Sequence, residues 1–128
     1  MDQPRHRRLG DLQLAILKVL WEASEATVAD VHLALADNAL AYTTVATMLR
    51  KMEARGLVRH REEGRRFIYQ AAVAEEGITR GMADDVLERA FEGNLADMVS
   101  HLLQGRDVST AELDALEKLI AQRRKKPR

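Results

Sequence analysis

The chain has 128 residues, 46% of them hydrophobic, enough for one domain of ordinary size or two very small ones, with association of copies a reasonable way to complete a core. It has no cysteine, which excludes a disulfide framework and thiolate metal sites, and its longest apolar stretch, "LAILKVLW", is broken by Lys18 and far too short to span a bilayer. The formal net charge is zero but unevenly spread: residues 1–72 hold 11 Lys/Arg against 9 Asp/Glu, residues 73–122 hold 4 against 11, and the tail "RRKKPR" adds five cations.

The basic start "MDQPRHRR" is not followed by an apolar signal-peptide core, so the expectation is a cytoplasmic protein with no membrane partner. In "LGDLQLAILKVLWE", Leu9, Leu12, Ile16, Val19 and Leu20 recur at helical spacing, with Trp21 near the end, and predict a core-forming first helix. A second helix is expected at "TVADVHLALA", where Thr27 and Asp30 have the spacing of a capping box and Val28, Val31, Leu33 and Leu35 serve the buried side. "DNAL" is a four-residue turn, and a third helix follows in "LAYTTVATMLRKMEARGLV". Three short helices with a tight turn between the second and third match a helix-turn-helix unit.

The third helix is unusual in its threonines, which have lower helix propensity than alanine. At about 100° per residue, Val45, Met48, Leu49 and Met52 fall on one arc, the spacing of a core-facing stripe. The opposite arc holds Thr43, Thr47, Arg50 and Ala54, flanked by Thr44 and Lys51. Short hydroxyls and methyls permit close approach to base edges, and arginine and lysine reach guanine or phosphate. An ordinary solvated face would also account for this pattern in an isolated helix.

Beyond Gly56, expected to end the helix, "LVRHR" and "RFIYQ" are short strand-forming runs around "EEGR", with Gly64 suited to a hairpin turn. A hairpin directly after such a helix makes a winged helix, whose tip would present Arg65 and Arg66. Within residues 50–66 there are 7 cations and 3 anions, so positive charge is concentrated on this helix and wing. The coincidence of three helices, a Thr/Arg face and a basic wing points to DNA binding.

The second half reads as three helices. The first stripe is Met82, Val86, Leu87, Ala90 and Phe91, closing at Gly93; the second is Leu95, Met98, Val99, Leu102 and Leu103, closing at Gly105. "STAELDALEKLIAQ" opens with the capping-box pair Ser109 and Glu112 and carries Leu113, Leu116, Leu119 and Ile120. Helices this short bury little alone, and a second copy would supply the missing surface; an intramolecular core is the other destination for such stripes. The expected architecture is mostly α with a small β-hairpin: a winged helix-turn-helix N-terminal domain over residues 1–72 and a C-terminal helical dimerisation domain with a basic tail over residues 73–128.

Nothing in the chain predicts an enzyme or a cofactor. His6, His32, His60 and His101 lie in separate elements without metal-ligand spacing, Ser24, Ser100 and Ser109 belong to no nucleophile motif, and there is no Gly-rich phosphate loop. A winged helix that binds an acidic protein instead of DNA is the competing reading, since fold alone does not fix function.

Nearly the whole chain resembles the penicillinase repressor (BlaI/MecI) family of bacterial transcription regulators. The resemblance is carried by "LGDLQLAILKVLW", "AYTTVATMLRKMEARGLV", "RRFIYQ", "FEGNLADMVSHLL" and "STAELDALEKLI", in that order. It implies a winged-helix repressor that dimerises through its C-terminal helices and binds a palindromic double-stranded DNA operator. By the same resemblance, Thr43, Thr44, Thr47, Arg50 and Lys51 face the major groove, and Arg65 and Arg66 meet the backbone or minor groove. The homodimer contact would fall to Val86, Phe91, Leu95, Met98, Val99, Leu102, Leu103, Leu113, Leu116 and Ile120. Antibiotic-responsive members are induced through a membrane sensor and cleaved at an Asn-Phe bond in the helix matching "MVSHLL". The corresponding pair here is Ser100-His101, so that mode of induction is not implied, and without cysteine neither is thiolate copper sensing.

Overall fold

The computed structural model describes residues 9–126, so the basic stretch 1–8, with His6, and the last two residues of the tail lie outside the described residues. The chain divides into two compact units, Met1–Asp84 and Asp85–Arg128.

In the first unit, α1 (Asp11–Ala23), α2 (Val28–Ala34) and α3 (Tyr42–Ala54) precede a hairpin of β2 (Val58–Glu63) and β3 (Arg66–Ala71). A two-residue strand, β1 (Ala26–Thr27), joins the hairpin to make an antiparallel sheet in the order β1-β3-β2. Its register pairs Ala26 with Tyr69 and Thr27 with Ile68. The main core gathers Ile16, Leu17 and Leu20 from α1, Val31 from α2, and Val45, Leu49 and Met52 from α3. Ala26, Leu57, Val58 and Tyr69 close it from the sheet side, and burial pushes the Tyr69 phenol above its ordinary pKa. Leu9, Leu12, Val19 and Trp21 pack at its edge, while Leu17, absent from the expected stripe, lies at its centre.

Local chemistry sets the boundaries. Thr27 caps α2 through both halves of a capping box: its hydroxyl accepts from the Asp30 N–H at 3.0 Å, and the Asp30 carboxylate accepts from the Thr27 N–H at 3.0 Å. The turn after α2 is a 3-10 segment, Ala36–Asn38, followed by Ala39 in the left-handed region (φ 53°). Gly56, with φ 81°, ends α3 in a Schellman arrangement: its N–H donates to Glu53 O at 3.0 Å and the Leu57 N–H to Met52 O at 2.9 Å. Leu57 and Met52, brought together by that motif, are both buried.

Leu33, expected on the buried side of α2, is instead 76% exposed. It lies two residues from Val31, about 200° around the helix, so the inward arc of Val28, Val31 and Leu35 cannot include it. On leaving the sheet the chain is fastened to the first unit, where the Trp21 indole N–H donates to Val73 O at 2.9 Å.

α4 (Glu75–Phe91) carries the chain from the first unit into the second, which continues with α5 (Leu95–Gln104) and α6 (Thr110–Lys125). Asn94 caps α5 by accepting from the Asp97 N–H, and Ser109 caps α6 by accepting from the Glu112 N–H, both at 3.0 Å. Among the described residues from Asp85 onward none is buried. Phe91, Met98 and Leu116 are half-buried, whereas Val86, Val99, Leu102, Leu103 and Leu113 are exposed, Leu95 at 62% and Ile120 at 56%.

Candidate nucleic-acid interface

α3 is held by complete burial of Val45, Leu49 and Met52, one residue per turn, with Met48 packing beside them. That anchor fixes which face looks outward. Thr43, Thr44, Arg50 and Lys51 are exposed and Thr47 is half-buried, so the sequence-predicted residues of this helix form one continuous face. The Arg50 guanidinium donates to Thr47 Oγ1 at 3.2 Å, which draws it back along the face by one turn. Where Thr27, Asn94 and Ser109 cap their helices, the N-cap of α3 is Ala41, and no acid sits in its first turn. Side chains therefore leave the positive end of this helix open to an anion.

Two histidines steady the helix at its ends. His32 Nε2 lies 2.8 Å from Leu40 O, and because a carbonyl only accepts, that nitrogen carries the proton. The bond ties α2 to the turn before α3, and the His32 ring meets Tyr42 edge-on with centroids 5.8 Å apart. At the other end, His60 Nδ1 lies 2.7 and 2.9 Å from the two carboxylate oxygens of Glu53. The His60 ring stacks on Phe67 at 4.1 Å, so the last turn of α3 is fastened to both strands of the wing. The neighbouring Arg55 donates to Gln13 Oε1 at 2.9 Å, bracing the same end of α3 against α1.

The hairpin closes at the Glu63–Arg66 pair, leaving Gly64 and Arg65 as its two-residue loop. Gly64 has φ 63° and Arg65 has no positive φ, as in a type II′ turn, where glycine at the first position avoids a Cβ clash. Arg65 is exposed at the tip and makes no ion pair among the described residues. Arg66 is exposed too, but its Nη2 lies 3.3 Å from Glu63 Oε1. Arg61, one strand turn back, lies 3.2 Å from Glu25 and 3.9 Å from Glu63. Near the base of the sheet, Asp30 is held below the usual carboxylate pKa by the Thr27 N–H first and the Thr27 hydroxyl next, with a smaller contribution from Arg66. Periodicity and composition located the Thr/Arg face and the tip; they did not locate the Glu53–His60, His32–Leu40 or Glu25–Arg61 contacts, each of which joins separate elements.

No group of three or more His, Asp or Glu side chains among the described residues could hold a metal ion, and no helix there is long and apolar enough to cross a membrane. A three-helix unit with a wing, and an exposed Thr/Arg helix face beside it, is the architecture of a winged helix-turn-helix regulator of transcription. The sequence profile of the family described as penicillinase repressor matches residues 9–122, and the chain belongs to that family. It is 34% identical over 118 residues to the transcriptional regulator BlaI of Mycobacterium tuberculosis, covering 90% of this chain and 84% of that one. Over 114 residues it is 26% identical to the penicillinase repressor of Bacillus licheniformis, covering 88% and 89% of the two chains. Among solved structures, a mutant MarR from E. coli complexed with operator DNA is similar in fold, with TM-score 0.54 and 15% identity, covering 93% of this chain and 78% of that one. Curated relatives of the chain are regulators, not enzymes.

Proposed function

We propose that this repressor works in the cytoplasm as a homodimer on a palindromic operator, with α3 of each copy in the major groove. The observation that carries this reading is the outward face of Thr43, Thr44, Thr47, Arg50 and Lys51 on a helix whose other side is locked into the core. Small hydroxyl side chains at the uncapped end admit the helix closely to the base edges and phosphates. Arg50 and Lys51, a turn further on, supply donors long enough for guanine or phosphate. Arg65 and Arg66 of the wing position the duplex through its backbone or minor groove without reading bases. The two units correspond in role to a DNA-binding part and a dimerising part, and the exposed apolar side chains of α4, α5 and α6 support the second assignment. A two-fold dimer sets two recognition helices about 34 Å apart or a multiple of it, the repeat of the major groove.

Footprinting the purified protein on DNA upstream of its own gene tests the reading. The expected result is a protected palindrome, with Arg50→Ala losing about 1 to 3 kcal/mol of operator affinity if its contact is bidentate. Unchanged affinity in that variant removes Arg50 from base readout, and the absence of any protected site argues against sequence-specific binding.

A further inference from the structure

Two of the arginines of the wing, Arg61 and Arg66, are held in ion pairs. Glu63 stands at the last pair of the hairpin and divides its carboxylate between two arginines, Oε1 at 3.3 Å from Arg66 and Oε2 at 3.9 Å from Arg61. The same Arg61 nitrogen lies 3.2 Å from Glu25, which precedes β1. A chain of alternating charge, Glu25–Arg61–Glu63–Arg66, therefore runs along the wing, while Arg65 at the tip and Arg59 nearer the start of β2 stand without an ion pair among the described residues. All four side chains in that chain are 44 to 65% exposed, so each link is weak and readily exchanged in water.

We propose that Glu63 is a specificity-determining residue, holding Arg61 and Arg66 away from phosphate until an operator supplies one in a fixed position. The proposal rests on the reading that the wing meets DNA. A phosphate entering the wing displaces the Glu63 carboxylate and then stays close to it, so the exchange has both a pairing and a repulsive cost. On random DNA the protein is held mainly by phosphates in no fixed register, and the exchange gains little. On the operator, contacts from α3 fix the duplex, and a phosphate held against the wing acts at a high effective concentration. Glu63 thus weakens random binding more than operator binding.

The test compares Glu63→Gln with the wild type on an operator duplex and on a random duplex of equal length. Glutamine keeps the shape and one acceptor oxygen and removes the charge. Random-duplex affinity is expected to rise about two- to five-fold, with a smaller rise on the operator, so that the ratio between them falls. Glu62→Gln removes the same charge one residue away, on a side chain that makes no ion pair among the described residues, and is expected to leave the ratio unchanged. No rise on random DNA, or an equal fall in the ratio from Glu62→Gln, overturns the proposal. Arg65→Ala separates the two levels. If it weakens both duplexes while Glu63→Gln changes neither, this inference alone fails; if it changes neither duplex, the wing's contact with DNA fails with it.

Discussion

The two units carry apolar stripes of the same period and treat them oppositely. In the first, residues of three helices and a sheet converge, and Ile16, Leu17, Val31, Val45, Leu49 and Met52 lose all contact with solvent. In the second, the end of α4 with α5 and α6, of 10 and 16 residues, leaves Leu95, Leu113, Leu119 and Ile120 among the exposed side chains. Periodicity identifies an apolar face but does not say what covers it. The sheet makes the difference in the first unit: β3 lies between β1 and β2 and places Tyr69 and Val58 as a wall against the helices. The second unit has no such sheet among the described residues; on the proposed reading another copy covers those side chains, and each large one fully covered would contribute about 1.5 to 3 kcal/mol.

Truncation on the two sides of this contrast has the largest expected effect. Leu49→Ala should destabilise the protein by about 2 to 5 kcal/mol, because a fully buried side chain leaves a cavity. Leu113→Ala, at a site that is exposed in a single copy, should act differently: its unfolding midpoint should match the wild type in dilute protein and fall below it at concentrations where copies associate. Denaturant titrations at two protein concentrations separate these cases. A concentration-independent loss in Leu113→Ala would place that residue in an intramolecular core.

A smaller effect belongs to the first unit alone. The folded-state pKa of Asp30 is lowered by its capping bonds to Thr27, so its contribution is present above the ordinary carboxylate pKa and is lost as pH falls through the folded value. Asp30→Asn should therefore lower the melting temperature near neutrality and converge with the wild type in acid. A constant difference across the acid range would show that the carboxylate charge is not what stabilises this cap.

The readable parts of the molecule were those governed by short-range rules. The α3 face follows from a 3.6-residue period, Gly56 and Gly64 from the positive φ their turns require, and the Thr27–Asp30 cap from a three-residue spacing. Ser109 and Glu112 have that spacing too, yet the bond found there is the one from the Glu112 N–H to the Ser109 hydroxyl. The strand β1 escaped notice because two residues have no period, and it exists only through pairing with Ile68 and Tyr69 more than forty positions away. Glu25 and Arg61 are 36 residues apart and meet across the sheet, so composition counts Arg61 as unpaired charge when it is ion-paired on the wing. Leu33 shows the limit of counting apolar residues in a helix of seven, where the angle around the axis decides.

On the proposed reading the second unit joins two copies, and this joining sets operator affinity. Sedimentation equilibrium and operator footprinting of the wild type and of Leu102→Asp test it most directly. Leu102 is exposed on α5 in a single copy, so aspartate there leaves the core of the first unit intact. The expected result is a dimeric wild type at micromolar concentration and a folded monomeric variant whose operator affinity falls about 10²- to 10⁴-fold, the loss that follows when two half-sites are no longer linked. A monomeric wild type, or a monomeric variant that protects both half-sites at wild-type affinity, would contradict it.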